Sequence, residues 1–393
     1  MHTCANIQVG AAQSWLRRNR STVNSSHSPL AAARVAGAKR SREVSIADIA
    51  RVAGVSHTTV SRALRDSPLI SEETRKRIQQ LALEMGYTPN AIAQSLQTRR
   101  TNTIGLAVTS IADPFLSEVV RGIEEVARSA GLSVFLSATH NDPEQEIAVI
   151  ETFHRRRVDG ILVASSRMTG EYKQRLDQIR IPTVLINSQA ESQYELLHWV
   201  AVDDVLGARL AVEHLLALGH RAIGYVGTSS RPRSCRQRLE GYRAALADAG
   251  LTPREEWVTM MRAEEASPQE DVLCGRRALQ RLLDAGVTAV FCQNDMMAIG
   301  LLMACYRRGI AVPRELSVAG FDDIEMASCI IPPLTTVRQP RLELGRLAMQ
   351  VLLDLLHEQE GHNHVLTPTL VVRESTAPPL ASSDALPPST TTE

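Results

Sequence analysis

The chain lacks the features that mark membrane, secreted and fibrous proteins. Aromatic residues make up only 4% of its 393 residues, and no apolar run approaches the roughly 20 residues that a membrane-spanning helix needs. The N-terminal stretch has no apolar core or cleavage site of a secretory signal. With 44% hydrophobic and 22% charged residues, the composition also excludes a disordered or coiled-coil chain. We therefore expect a soluble, cytoplasmic protein of two or three domains.

The sequence is equally poor in the patterns that carry catalysis or bind metals. Its six cysteines are far apart and include no C-x-x-C pair, and it has no Walker A motif, no G-x-S-x-G and no G-x-G-x-x-G at a strand-to-helix turn. The cysteines are predicted to be buried small apolar residues. We expect no enzyme activity, no cofactor and no metal site.

The formal net charge is zero, but the two parts of the chain differ. Residues 1–100 hold 15 Lys and Arg against 6 Asp and Glu, whereas residues 101–393 hold 28 against 37. A basic first quarter on an acidic body favours one small module that binds a polyanion. A solvated basic tail is the alternative, and residues 1–43, which have no sustained periodicity, are predicted to be a disordered basic tail.

Three short helical patterns follow in residues 44–88. Ser45, Ser56 and Ser71 can each cap a helix, and Gly54 can end the first. The small, glycine and branched positions of the first two helices fit A-x3-G-x5-V, the spacing of a helix-turn-helix. The second helix leaves polar and basic side chains on its outer face, which suit base edges and phosphates. A purely structural helical hairpin is the alternative.

The pattern changes from residue 101 onward to short apolar runs separated by amphipathic helices such as 116–130 and 208–218. Such alternation indicates doubly wound α/β structure, with parallel strands covered on both faces. The chain has too many strands for one sheet, so we expect two similar lobes, the first ending near Asp203. The predicted strands are residues 103–108, 133–138, 160–165, 183–187, 222–227, 289–294 and 316–322.

Several ordered motifs carry a resemblance to a known family. The run S-I-A-D-I-A-R-V-A-G-V-S-H-T-T-V-S-R-A-L begins at Ser45, and Y-T-P-N-A-I-A-Q-S-L begins at Tyr87. R-L-E-G-Y, N-D-M-M-A-I-G, G-F-D-D and P-P-L-T-T-V-R-Q follow in that order. The sequence resembles the lactose/galactose repressor family over residues 44–378. The resemblance implies a helix-turn-helix headpiece and a two-lobed body like that of periplasmic binding proteins.

For the headpiece, the resemblance implies that the second helix enters the DNA major groove. His57, Thr58 and Arg62 would then read bases, with Thr59 and Ser61 as phosphate or positioning contacts. The segment from Asn90 to residue 97 is too short to be a stable helix alone. In the family, the matching hinge helix pairs with its dimer mate in the minor groove, where a leucine at the position of Leu96 kinks the duplex. Ordinary core packing is the alternative for Leu96. The expected DNA contacts are Ile46, His57, Thr58, Thr59, Ser61, Arg62, Arg65, Asn90 and Leu96.

For the body, the resemblance implies a small-molecule effector in the cleft between the lobes, at the carboxyl ends of strands. Neutral sugars suit the expected polar set. The alternative for Asn294 and Asp322 is a helix-capping role. The expected effector contacts are Phe115, Leu116, Asn187, Arg238, Asn294, Asp322 and Gln339.

Two departures leave the effector's identity open. The family often has an acid where Asn187 stands, and residues 260–271 offer no clear counterpart of its stacking aromatic. Four arginines in a predicted loop at 229–238 favour a phosphorylated or acidic sugar, although a solvated loop explains them as well.

The sequence therefore predicts a homodimeric regulator, most readily a repressor, that binds a near-palindromic operator. It does not decide between an inducer and a corepressor. A periplasmic-type sugar-binding protein without a DNA role is the rival, although it would not need the basic headpiece. The expected domains are a tail (1–43), headpiece (44–88), hinge and linker (89–100), first lobe (101–203 with 339–366), second lobe (204–338 with 367–378) and a disordered tail (379–393).

Overall fold

A computed structural model describes residues 44–88, 95, 100–164, 176, 180–188, 197–229, 232–261 and 267–380. The chain divides into two compact units, Met1–Asn90 and Ala91–Glu393. The tail predicted at 1–43 and most of the tail predicted at 379–393 lie outside the described residues. Within the described ranges, no helix is long and apolar enough to cross a membrane.

In its described part, residues 44–88, the first unit contains three helices, α1 (Ile46–Ala53), α2 (His57–Ala63) and α3 (Glu72–Glu84). Ser45 and Asp48 form a reciprocal capping box at the start of α1. Gly54 adopts φ +68° in the turn that follows, a conformation that glycine reaches without a Cβ penalty. The predicted helix-turn-helix headpiece is confirmed. Its core consists of Ile49, Ala50, Val60, Ala63, Ile78 and Ala82.

The second unit is an α/β body with two six-stranded sheets. The elements of the first half are β1 (Thr103–Val108), α4 (Pro114–Ser129), β2 (Ser133–Ala138), α5 (Pro143–Arg155), β3 (Gly160–Ala164), β4 (Thr183–Ile186) and β5 (Leu197–Val202). Next come α6 (Asp204–Ala217), β6 (Ile223–Thr228), α7 (Pro232–Asp248), β7 (Val258–Met261), α8 (Pro268–Asp284), β8 (Ala289–Cys292) and α9 (Asp295–Arg307). The last are β9 (Ser317–Asp322), α10 (Glu325–Cys329), β10 (Thr335–Arg338), α11 (Arg341–Leu356), β11 (His364–Leu366) and β12 (Thr369–Val371).

The strand order is β11-β5-β4-β3-β1-β2 in the first sheet and β12-β10-β9-β8-β6-β7 in the second. All pairings are parallel except that of β12 with β10, which is antiparallel. Apolar clusters cover both faces of each sheet. The predicted fold class, two doubly wound lobes, is confirmed.

The chain passes between the lobes at three places: from β5 to α6, from β10 to α11 and from β11 to β12. Within the first lobe, the backbones of α4 and α11 approach each other closely at Gly122 and Gly345. A Cβ added to Gly122 would lie 2.2 Å from the carbonyl oxygen of Leu342, and one added to Gly345 would lie 2.0 Å from that of Val119. The two helices are therefore packed backbone to backbone at this crossing.

The seven predicted strands are present, with ends that differ by at most two residues. The prediction of a loop at 229–238 is wrong beyond residue 231, because α7 begins at Pro232, a residue suited to the first turn of a helix. Four cysteines are buried as expected, but Cys329, at the end of the short helix α10, is exposed.

Candidate functional site

The outer face of α2 is available to a partner. His57, Thr58, Arg62 and Arg65 are exposed, whereas Val60 and Ala63 are fully buried in the headpiece core. The helix thus presents one polar, basic face and one apolar face. This is the arrangement that a recognition helix requires.

The other described DNA-contact candidates have structural partners in the headpiece. Ile46 is half-buried and packs against the headpiece core. Thr59 is half-buried, and its hydroxyl lies 2.8 Å from that of Ser56, the residue whose side chain caps α2. Ser61 is also half-buried. Asn90 and Leu96 lie outside the described residues.

In the body, Arg238 lies at the centre of a buried polar cluster. Its Nε donates to Asp204 Oδ1 at 2.8 Å, and its Nη1 lies 3.5 Å from Asp322 Oδ1. The guanidinium also stacks over the Phe321 ring, 3.6 Å from its centroid. Burial opposes the charge on Arg238, but the carboxylates of Asp204 and Asp322 outweigh this and raise the pKa of the guanidinium. The cluster is therefore charged but compensated.

A chain of hydrogen bonds continues from this cluster across the lobes. Gln339, in the crossover from β10 to α11, donates from Nε2 to Asp322 Oδ1 at 2.6 Å. Asn187, directly after β4 of the first lobe, donates from Nδ2 to Gln339 Oε1 at 3.3 Å. The Asn187 Oδ1 in turn accepts from the backbone N–H of Val202 at 3.2 Å. The structure thus brings Asn187, Arg238, Asp322 and Gln339 together.

The remaining effector candidates are held differently. Asn294 Oδ1 accepts from the N–H of Met297 at 2.9 Å and so caps α9, while its Nδ2 donates to Asp271 Oδ2 at 2.9 Å. The alternative of a helix cap thus describes Asn294 but not Asp322, because α10 has no side-chain cap. Phe115 and Leu116 are buried in the first-lobe core, at the start of α4.

Sequence reasoning missed acidic residues that complete the cluster. Asp204, at the start of α6, and Asp323, directly after β9, are 6% and 8% exposed. Asp295 is fully buried, and burial together with Asp322 raises its pKa well above the ordinary value. The signal was present, since each belongs to a pair at or next to a strand end: D-D at 203, N-D at 294 and D-D at 322. Among the described residues, no group of three or more His, Cys, Asp or Glu is placed to hold a metal ion.

The fold and both surfaces match known families. Residues 45–90 match the model of bacterial regulatory proteins of the lacI family, and residues 212–376 match a periplasmic binding protein-like domain. The chain is 34% identical over 338 residues to the HTH-type transcriptional repressor PurR of Haemophilus influenzae strain PittEE, covering 84% of this chain and 98% of the relative. A PurR repressor of Vibrio campbellii is also 34% identical over 333 residues, covering 84% and 98%.

Solved structures agree. The lac repressor dimer bound to operator and the anti-inducer ONPF superposes with a TM-score of 0.76 at 29% identity, covering 86% of this chain and all of that chain. The CelR–cellobiose complex gives 0.63 at 30% identity, covering 85% of this chain and all of that one. A ribose-bound regulator from Enterococcus faecium gives 0.62 at 31%, covering 70% and 99%.

A helix-turn-helix headpiece with a two-lobed binding body defines a ligand-controlled, DNA-binding transcriptional regulator. The chain belongs to the lacI family of bacterial regulatory proteins. The family match over residues 45–90 does not favour the rival interpretation, a sugar-binding protein without a DNA role.

Proposed function

We propose that this protein is a homodimeric transcriptional repressor, without catalytic activity, that acts in the cytoplasm on a near-palindromic operator. A neutral sugar or sugar derivative, bound between the lobes of the body, controls its affinity for DNA. The observation that best supports a sugar site is the hydrogen-bonded chain Arg238–Asp322–Gln339–Asn187. This chain joins the two lobes through groups that can bind hydroxyls.

The DNA half of the proposal rests on the exposed face of α2. His57, Thr58 and Arg62 are the residues we assign to base edges, and Arg65 to phosphate. Ile46 and Thr59 have structural partners in the headpiece and Ser61 is half-buried, so we assign all three positioning roles beside the DNA backbone. The wedge role of Leu96 and the hinge role of Asn90 stay predictions. The lac repressor structure, a dimer bound to operator, supports this arrangement.

The sugar assignment follows from the charge balance of the cluster. Arg238 already faces two carboxylates, those of Asp204 and Asp322, so its charge is compensated without a ligand, and an uncharged ligand adds no further charge to the cluster. A phosphate would have to compete with both carboxylates for the same guanidinium. Of the other arginines near this site, Arg236 is exposed and Arg233 half-buried, and Arg231 lies outside the described residues. The cellobiose and ribose complexes of related regulators support a sugar.

The dimer assignment is supported by exposed apolar side chains on the second lobe. Met303 and Tyr306, one turn apart on α9, are 40% and 86% exposed, and Ile331 is 95% exposed. Large apolar side chains at these positions are expected to be covered by a second copy of the chain.

Thermal-shift screening of the full chain against neutral mono- and disaccharides and their phosphates tests the effector assignment. We expect a neutral sugar to raise the melting temperature of the wild type but not of Arg238→Met, which keeps the bulk and loses the charge. The exposed Arg236→Met serves as the matched control and should respond like the wild type. A shift with phosphates alone, or an equal shift in Arg238→Met, would contradict the assignment.

Sedimentation of the same protein tests the dimer, and a monomer at micromolar concentration would count against it.

A further inference from the structure

Arg341, the first residue of α11, connects the two lobes through a single guanidinium. Its Nη1 donates to the carbonyl oxygen of Pro114 at 3.3 Å, and its Nη2 donates to the carbonyl oxygen of Asp323 at 2.8 Å. Pro114 begins α4 of the first lobe, whereas Asp323 directly follows β9 of the second. Arginine suits this position because its planar fork can hold two acceptors at once.

The first-lobe end of this bridge is closely packed. Arg341 and Pro114 begin the two helices whose backbones approach each other closely at Gly122 and Gly345. Further along the same helices, Arg346 of α11 donates from Nε and Nη2 to Glu125 of α4, at 2.9 and 2.6 Å. A displacement of Arg341 therefore acts on the start of two helices that are packed backbone to backbone.

The second-lobe end is strained. Asp322 and Asp323 have φ +117° and +55°, two consecutive non-glycine residues in a region that L side chains rarely adopt. Side chains hold this backbone in place. Gln339 donates to Asp322, and Arg338 and Arg373 each donate to the Asp323 carboxylate at 2.6 Å. Because such strain persists only while the surroundings enforce it, a change at the Asp322 side chain is expected to shift the Asp323 carbonyl.

We propose that Arg341 is a positioning residue that transmits the state of Asp322 in the second lobe to the start of α4 in the first. The proposal rests on the proposed function only in identifying Asp322 as the group that the effector contacts. Arg341 lies outside the headpiece, and its guanidinium donates to the Pro114 and Asp323 carbonyls, so no contact to sugar or DNA is assigned to it.

Hydrogen exchange of the full chain, without sugar or DNA, tests the connection as a double-mutant cycle. The reporters are the amides of Phe115 and Leu116, which donate to the side chain and the carbonyl of Asp113 at 3.0 and 3.1 Å. We expect Asp322→Ala to speed their exchange by roughly 5-fold or more, the lower end of typical couplings between sites. In the Arg341→Ala background, Asp322→Ala should add nothing.

Two further variants separate transmission from general loosening. Arg341→Lys keeps the charge but has no planar fork to hold both carbonyls, so it should also abolish the effect of Asp322→Ala. If Arg341→Ala does not fold, Arg341→Lys takes its place. Arg346→Ala breaks a bond between the same two helices within one lobe, and the effect of Asp322→Ala should survive in it. The inference is overturned if Asp322→Ala leaves the reporters unchanged, or changes them equally with and without Arg341. A failed sugar screen has no bearing on either outcome.

Discussion

Asp322 lies where a chain of hydrogen bonds joins the two lobes. Its carboxylate accepts from Gln339 and lies within reach of Arg238, while its backbone begins the strained segment after β9. Asp323 beside it is held by Arg338 and Arg373, which lower its pKa although burial opposes ionisation. The two adjacent acids therefore have different surroundings: Asp322 belongs to the proposed effector site, and Asp323 is held by two arginines.

Replacing Asp322 by Asn should separate ligand response from DNA binding. The amide keeps the side-chain volume but removes the charge that compensates Arg238, so the sugar-induced change in operator affinity should be lost. Operator affinity without sugar should stay near that of the wild type, because the Asn oxygen can still accept the hydrogen bond from Gln339 that supports the strained backbone. Fluorescence anisotropy with an operator duplex, with and without the sugar found by screening, measures both. Glu325→Gln, an exposed acid three residues away, is the control, and a normal response of Asp322→Asn would place the cleft elsewhere.

Replacing Arg62 by Ala tests whether this side chain reads a base. If it does, binding should weaken by roughly 1–3 kcal/mol, and the preference at one operator position should relax. Arg51→Ala removes the same charge from α1, where Arg51 is exposed and paired with Asp48, and should lower affinity without changing preference. Selection from a randomised half-site measures the preference. An equal loss of affinity across all sequences would identify Arg62 as a phosphate contact.

At the scale of elements, the first lobe depends on the close crossing of α4 and α11. The crossing requires glycine at one position in each helix, because a Cβ at either would meet a backbone carbonyl. Such contacts are what position Arg341 and Pro114 side by side. The packing of the two helices thus determines where Arg341 meets Pro114.

Replacing Gly345 by Ala should force α4 and α11 apart. The new Cβ would lie 2.0 Å from the Val119 oxygen, and overpacking of this kind typically destabilises a protein by about 1–3 kcal/mol. The free energy of unfolding in urea, followed by circular dichroism, gives the cost for the body. Gln350→Ala, at an exposed position of α11, should stay within about 0.5 kcal/mol of the wild type. Equal stability of the two variants would show that the crossing tolerates a methyl group.

Periodicity predicted seven strands of the body but missed β5, β7, β10, β11 and β12. The headpiece helices and the buried strands carry local signals, namely capping serines and continuous apolar runs. The short strands β10, β11 and β12 have three or four residues each and depend on pairing with distant neighbours, so no local pattern marks them. Arg238, Asp322 and Gln339 were predicted through the family resemblance. The partner of Arg238 at the start of α6, Asp204, was missed because the pairing spans 34 residues.

Across the whole molecule, basic and acidic charge are concentrated in different parts of the chain. The basic first hundred residues carry the DNA-binding face, while the acidic remainder, with 37 Asp and Glu against 28 Lys and Arg, should be repelled by DNA. The salt dependence of binding should therefore arise from the first hundred residues. Control by a ligand must then act mechanically, through the lobes, and not through the body's own contacts with phosphate.

Such control has a thermodynamic consequence that can be measured from both ends. If a sugar changes operator affinity, operator must change sugar affinity, and typical couplings are about 1–3 kcal/mol, or roughly 5-fold to 150-fold. With two sugar sites in a proposed dimer, the change in operator affinity at saturation should equal the product of the changes at the two sites. The change in operator affinity is measured by operator titrations with and without saturating sugar. The change in sugar affinity is measured by calorimetric sugar titrations with and without saturating operator. An inducer weakens operator binding, whereas a corepressor strengthens it. Arg341→Lys should bring the operator-affinity ratio and the product of the two sugar-affinity ratios closer to one, and by the same factor. If the operator-affinity ratio differs from the product of the two sugar-affinity ratios, the sugar acts on assembly of the dimer and not on the state of its lobes.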